Sequence, residues 1–157
     1  MLRCVLDTDV VIAAMRSRTG ASAAIILAAL DTPYLKLLAS VPLVLEYEAK
    51  CLMPKHQDAA GVDEQQTQRF LTSVIDLMEP VTMDYRWRPQ LRDPGDEMVL
   101  ETAINGQADL LITFNLRDYG DAPQKFGIQA LRPADACLLY TSPSPRDLST
   151  SRMPSSA

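Results

Sequence analysis

A chain of 157 residues with 47% apolar side chains can bury one core without disulfides, and it holds no apolar run of the roughly 18 residues a membrane span needs. Its net charge of -5 argues against a broad basic face for duplex binding, although carboxylates gathered around a cation would themselves lower the net charge. The single histidine, His56, lies in the polar stretch "PKHQD", which makes Ser-His or Cys-His chemistry unattractive.

The N-terminal "MLRCVLD" has no signal-peptide layout, and Cys4, Cys51 and Cys137 sit in apolar contexts without metal-ligand spacing. They read as reduced, buried thiols of a cytoplasmic protein. "LRCVLD" predicts a buried strand, apolar without alternation, as parallel strands usually are. "GASAAIILAAL", residues 20–30, has helical character, and "YLKLLAS", residues 34–40, predicts a second strand. A helix then follows to about Leu52, with Ser40 as cap and Pro42 in the first turn. "MPKHQDAAG" reads as a loop, and "VDEQQTQRFLTSVIDLM" as a helix ended by Pro80. "VTMDYRWRPQLRDPGD" reads as irregular or as a short strand. A helix is predicted where Asp93 caps, Pro94 comes first and Gly106 closes. "DLLITFN", residues 109–115, predicts a third strand, "IQALRP" a fourth, and "PADACLL" the start of a last helix. Strands alternating with helices predict an α/β fold with a mostly parallel sheet. Residues 1–140 are expected to form one domain. Residues 141–157, mostly Ser, Thr and Pro, are expected to be a disordered, non-native tail. That tail resembles the translated read-through of a sequencing adapter, with the last helix cut short near residues 137–140.

Open parallel sheets bind ligands beyond the carboxyl ends of their strands. Asp7 ends the first strand and Asn115 the third, Glu46 lies one turn into the helix after the second strand, and Asp96 lies in the first turn of the "DPGDE" helix. If the strands are parallel, all of them can face one pocket. Carboxylates this close do not all stay ionised unless a cation screens them, and hard oxygen ligands suit Mg²⁺ or Mn²⁺.

These motifs resemble the PIN-domain family, in particular the VapC-like toxin component of toxin–antitoxin pairs. The family opens with a strand and "LDTN" or a near variant; here it is "LDTD", residues 6–9. "LEYEAKCL" supplies the glutamate of the second helix, Glu46, and "DPGDEMVLETA" the acidic helix start, Asp96 with Asp93 before it. "ADLLITFNLRDY" supplies Thr113, Asn115 and Asp118. The resemblance spans roughly residues 2–138. It implies a three-layer α/β/α sandwich around four to five strands, and a Mg²⁺- or Mn²⁺-dependent ribonuclease acting on single-stranded or structured RNA. It also implies a cognate antitoxin protein, a homodimer and a cytoplasmic location. Two positions depart from the pattern: Asp9 stands where asparagine is usual, and Asn115 where many members have a fourth aspartate.

On this reading Asp7 and Asp96 are direct metal ligands, and Glu46 is a third ligand holding a water or a second ion. Asn115 orients water without adding charge. Thr8, Asp9, Thr113 and Asp118 support them: Thr8 donates to a carboxylate or phosphate, Asp9 holds the loop after the strand, and Asp118 adds an acid at some distance. Plainer readings stand beside these. Asp7 can merely end a strand, Glu46 can pair with Lys50, Asp96 can complete a capping box, and Asn115 and Asp118 can form a turn. Asp93 reads as a cap. Arg3, Arg16, Arg18, Arg92 and Arg117 read singly as solvated charges, and Trp87 as packing over the sheet edge. The rival functions are a catalytically impaired PIN-fold module that binds antitoxin or RNA, and a haloacid-dehalogenase-like phosphatase. The phosphatase fits "DTDVV", but no lysine occurs between His56 and Gln124 to complete its motif.

Overall fold

The computed structural model describes residues 1–85 and 90–141. Trp87 and the Ser/Thr/Pro-rich tail beyond Thr141 lie outside the described residues. Strand β1 (Leu2–Leu6) leads into α1 (Thr8–Arg16) and α2 (Ala21–Asp31). Strand β2 (Leu35–Ala39) is followed by α3 (Val41–Cys51), α4 (Pro54–Ala60) and α5 (Glu64–Asp76). Strand β3 (Met78–Pro80) precedes α6 (Pro94–Asn105) and β4 (Leu110–Ile112). The short helices α7 (Leu116–Tyr119) and α8 (Ala122–Lys125), then β5 (Gln129–Leu131) and α9 (Pro133–Thr141), complete the order.

The strands form one sheet in the order β3-β2-β1-β4-β5, with every pairing parallel. Side chains alternate between faces along a strand. Cys4, Val5 and Leu6 are nonetheless all 0% exposed, so both faces of β1 are covered. Leu37 and Leu38 of β2, and Leu111 and Ile112 of β4, repeat the pattern. That is the continuous apolar run of a parallel sheet between helical layers, and it makes the fold an α/β/α sandwich. The chain leaves β1 for β2 and β3 on one side, then returns to β4 and β5 on the other. The crevice between the carboxyl ends of β1 and β4 is therefore the topological switch point, where such sheets take ligands.

The structure corrects several sequence expectations. Asp9 is not in a loop: α1 starts at Thr8, with Asp7 as its N-cap, and Asp9 lies in the first turn. The expected loop over residues 53–61 contains α4, which starts with Pro54 and stops at Gly61 in the left-handed region (φ 70). None of its residues is buried, so no apolar periodicity marks it. Pro80 does more than end a helix. It closes β3, an edge strand, where its missing N–H costs no ladder bond. The strands predicted third and fourth are β4 and β5, each three residues long and shorter than the apolar runs that predicted them. Gly106 ends α6 as expected, and space also demands it: a Cβ there would lie 2.9 Å from both Leu38 Cδ1 and Val81 Cγ2. Among the described residues no single helix is long and apolar enough to cross a membrane.

Candidate active site

The carboxyl end of β1 is built around Asp7, which is only 6% exposed. Its backbone N–H still donates to Ile112 O at 2.9 Å, so the sheet ladder places it beside the end of β4. Its Oδ1 accepts from Thr8 N at 2.7 Å, and its Oδ2 accepts from Thr113 Oγ1 at 2.7 Å and Tyr119 OH at 3.1 Å. Donors from α1, the β4 end and α7 thus fix one carboxylate. Burial pushes the Asp7 carboxyl pKa up, these hydrogen bonds pull it down, and the nearby Asp118 charge adds to the rise. Beneath it, Tyr47 of α3 is wholly buried and donates to Leu6 O at 2.6 Å, tying α3 to the end of β1.

Asp9 and Asn115 meet directly. Asn115 Nδ2 donates to Asp9 Oδ2 at 3.0 Å, and the Phe114 amide donates to the same oxygen at 3.2 Å. Thr113 Oγ1 in turn accepts from Asn115 N at 3.0 Å. The segment after β4 is therefore held by both aspartates of "DTD", Asp7 through Thr113 and Asp9 through Phe114 and Asn115. The Asp9 pKa is pushed up to about 7, first by burial and then by the Asp7 charge, with a smaller contribution from Asp96. Asp9 Oδ1 is buried without a hydrogen-bond partner.

Asp96 enters from the first turn of α6. Asp93 caps that helix by accepting from Gly95 N at 2.7 Å, as the sequence predicted. Behind it, Glu97 Oε1 accepts from Gln90 N at 2.5 Å and Leu91 N at 2.6 Å, which pins the preceding segment to α6. The Asp96 pKa is raised to about 6 by partial burial, then by the charges of Asp7, Asp93 and Asp118, against a hydrogen bond with Tyr119. Asp96 and Asp118 share a cleft of ≈ 720 Å³ with Arg92 and Arg117. The Tyr119 hydroxyl sits in the field of Asp7, Asp96 and Asp9, which with burial raises its own pKa, so it acts as a fixed donor.

The structure thus brings Asp7, Thr8, Asp9, Asp96, Thr113, Asn115 and Asp118 to one sheet end. Glu46 lies half-buried on α3, where its recorded partner is Lys50, 4.0 Å away across one helical turn. Sequence reading missed Tyr47 and Tyr119. Their only signal is adjacency: Tyr47 follows Glu46, and Tyr119 follows Asp118. Arg3 lies at the opposite end of β1, engaged with Glu79 at 2.8 Å and Gly106 O at 3.1 Å, away from the acids. Among the described residues no three acidic, histidine or cysteine side chains are already drawn together at metal-binding distance. The donor set is still all hard oxygen, with a buried unpartnered carboxylate oxygen on Asp9 and mutually raised pKa values, which an added cation would relieve.

Comparison with known proteins agrees with this architecture. A chain of the crystal structure of VapBC2 from Rickettsia felis, bound to a DNA fragment from their promoter, superimposes with a TM-score of 0.57 at 13% identity. The match covers 83% of this chain and 98% of that one, a likeness of fold. No curated protein matches the sequence. The family model described as "PIN domain" matches residues 3–117, a span that runs from β1 through the acid cluster to α7. On that match, and on the parallel sheet whose switch point gathers the acids, the chain belongs to the PIN-domain family.

Proposed function

We propose that this chain is a divalent-metal-dependent endoribonuclease that cuts single-stranded RNA, and that it is the toxin of a toxin–antitoxin pair. PIN domains are generally nucleases. The observation that carries the finer reading is the convergence of Asp7, Asp9, Asp96 and Asp118 on the switch-point crevice, close enough that the charge of Asp118 helps to raise the Asp7 pKa and that of Asp7 helps to raise those of Asp9 and Asp96. In this reading Asp7 and Asp96 hold a Mg²⁺ or Mn²⁺ ion, which keeps several of its waters and so needs few protein ligands. When bound, the ion would neutralise charge on the phosphodiester and on the leaving oxygen. Thr8, Thr113 and Tyr119 orient the Asp7 carboxylate toward it. Glu46, paired with Lys50 on α3, would have to turn from that partner to serve as a further ligand or as the base that takes a proton from the attacking water. Asn115 holds Asp9. Arg92 and Arg117, beside Asp96 and Asp118, are placed to draw in the RNA backbone. Likeness to a chain of VapBC2 supports a cognate antitoxin partner, and family resemblance supports a homodimer in the cytoplasm.

Asn115, standing where an acid is usual, favours a second reading: an impaired module that binds antitoxin or RNA without cutting. Incubation of the chain with a labelled pool of single-stranded RNA separates the two. The expected result is cleavage with millimolar Mn²⁺ or Mg²⁺ that stops on addition of EDTA. Absence of cleavage of every RNA in the pool, at any of these metal concentrations, would leave only the binding module.

A further inference from the structure

The Arg92–Arg117 cleft takes in Asp96 and Asp118, whereas Asp9 lies in a second cleft, of ≈ 570 Å³. That is within the roughly 300–1,000 Å³ of small-ligand sites. Asp9 forms one end, Ile12 and Ala13 contribute apolar lining, and Arg16, His56 and Phe114 complete the walls. Phe114 is 44% exposed, an unusual state for phenylalanine, and its backbone is tied to the acid cluster through Asp9. Arg16 is the cation of the lining and Asp9 its acid. Burial, and then the charges of Lys55, Arg16 and Lys50 from α4, α1 and α3, hold the His56 pKa down. Among the described residues neither Arg16 nor Lys55 makes an ion pair.

The cleft therefore offers one cation that makes no ion pair among the described residues, Arg16, together with the His56 imidazole, an apolar lining and an exposed aromatic ring, next to Asp9. A ligand that matches all of these joins an anion to a flat apolar ring. An acidic side chain pairs with Arg16 but does not stack on Phe114, whereas a nucleotide brings both an anion and a flat ring. We propose that this cleft is the subsite for the nucleotide flanking the scissile bond, its phosphate held by Arg16 and His56 and its base laid on Phe114. This rests on the ribonuclease reading above and gives that site a direction: the strand crosses the acids from the Arg92–Arg117 cleft to the Arg16–Phe114 cleft.

The test reads binding apart from cleavage. Anisotropy of a short fluorescein-labelled oligouridylate is measured with the full chain in EDTA, across a salt series. Arg16→Ala is expected to weaken binding and to reduce the slope of log affinity against log salt by about 0.7, the loss of one single-strand phosphate contact. Phe114→Ala is expected to weaken binding roughly ten-fold with the salt slope unchanged, and Phe114→Trp to restore it. Arg16 and Phe114 are exposed, so both variants should keep the wild-type circular dichroism spectrum. Unchanged affinity and slope in both variants, in a protein whose wild type cleaves RNA, would overturn the subsite and leave the ribonuclease reading standing. Absence of wild-type cleavage with these binding effects intact would overturn the ribonuclease reading and with it the subsite's place beside a scissile bond, leaving a nucleotide-binding cleft on a non-cleaving module. A polyglutamate peptide that displaces the probe as well as unlabelled oligouridylate does would mark a protein-docking face and overturn the proposal.

Discussion

Asp7→Asn is expected to lower the single-turnover rate of RNA cleavage at saturating Mn²⁺ by about a thousand-fold or more, some 4 kcal/mol of transition-state stabilisation. The substitution is nearly isosteric, and its surroundings can accommodate it. The Thr8 amide can keep its bond to the remaining side-chain oxygen, while the Thr113 and Tyr119 hydroxyls rotate to accept from the new amide. The fold should therefore survive with only the charge removed. Tyr119→Phe provides the contrast. It removes a donor that orients Asp7 while leaving every acid in place, so a smaller loss, roughly ten- to a hundred-fold, is expected. Equal losses in the two variants would point to disordered packing, and a fully active Asp7→Asn would remove Asp7 from the site.

The second large effect concerns Asp9 and Asn115. Read from the sequence, Asp9 holds a loop as asparagine would, and Asp9→Asn should be tolerated. The structure changes that expectation, because the partner of Asp9 is Asn115 itself, at 3.0 Å. The two positions that depart from the resembled family's pattern are therefore hydrogen-bonded to each other. Asp9→Asn keeps an oxygen that can accept from Asn115 Nδ2 and the Phe114 amide, but it removes an acid from the cluster. Asn115→Asp sets two carboxylates against each other at that distance. Each single variant is expected to lose about ten-fold in kcat/KM, and the double variant Asp9→Asn with Asn115→Asp to recover most of it. That corresponds to a coupling of about 1–3 kcal/mol in a double-mutant cycle. Purely additive losses would show that the pair does not act as a unit.

The core of this arrangement was legible because strand ends and helix caps leave local marks. Asp7 follows an apolar run, Asp93 and Pro94 open α6, and both sit where a parallel sheet carries its ligands. The family match also leaves the phosphatase reading of "DTDVV" without support. What could not be read was long-range. No pattern in the chain states that Asn115 faces Asp9 across 106 positions, or that the Tyr119 hydroxyl reaches Asp7. Helix α1 was hidden because Thr8 and Asp9 look like a turn until Asp7 is recognised as their cap. Helix α4 was hidden because it buries nothing. Glu46 differs: its motif is clear, and the structure pairs it with Lys50 at 4.0 Å, the partner that i,i+4 spacing alone predicted.

Whether these acids hold a divalent ion is tested most directly by a Mn²⁺ soak. Asp96 with a pKa near 6 and Asp9 near 7 retain protons in mildly acidic solution, and a proton on a ligand competes with metal. Metal affinity should therefore rise as pH rises through that window. Crystals soaked in millimolar Mn²⁺ at pH about 7.5 are expected to show an anomalous peak touching Asp7 and Asp96, and the peak should weaken or vanish at pH about 5. An empty crevice at the higher pH, or a peak bound elsewhere on the chain, would contradict the account.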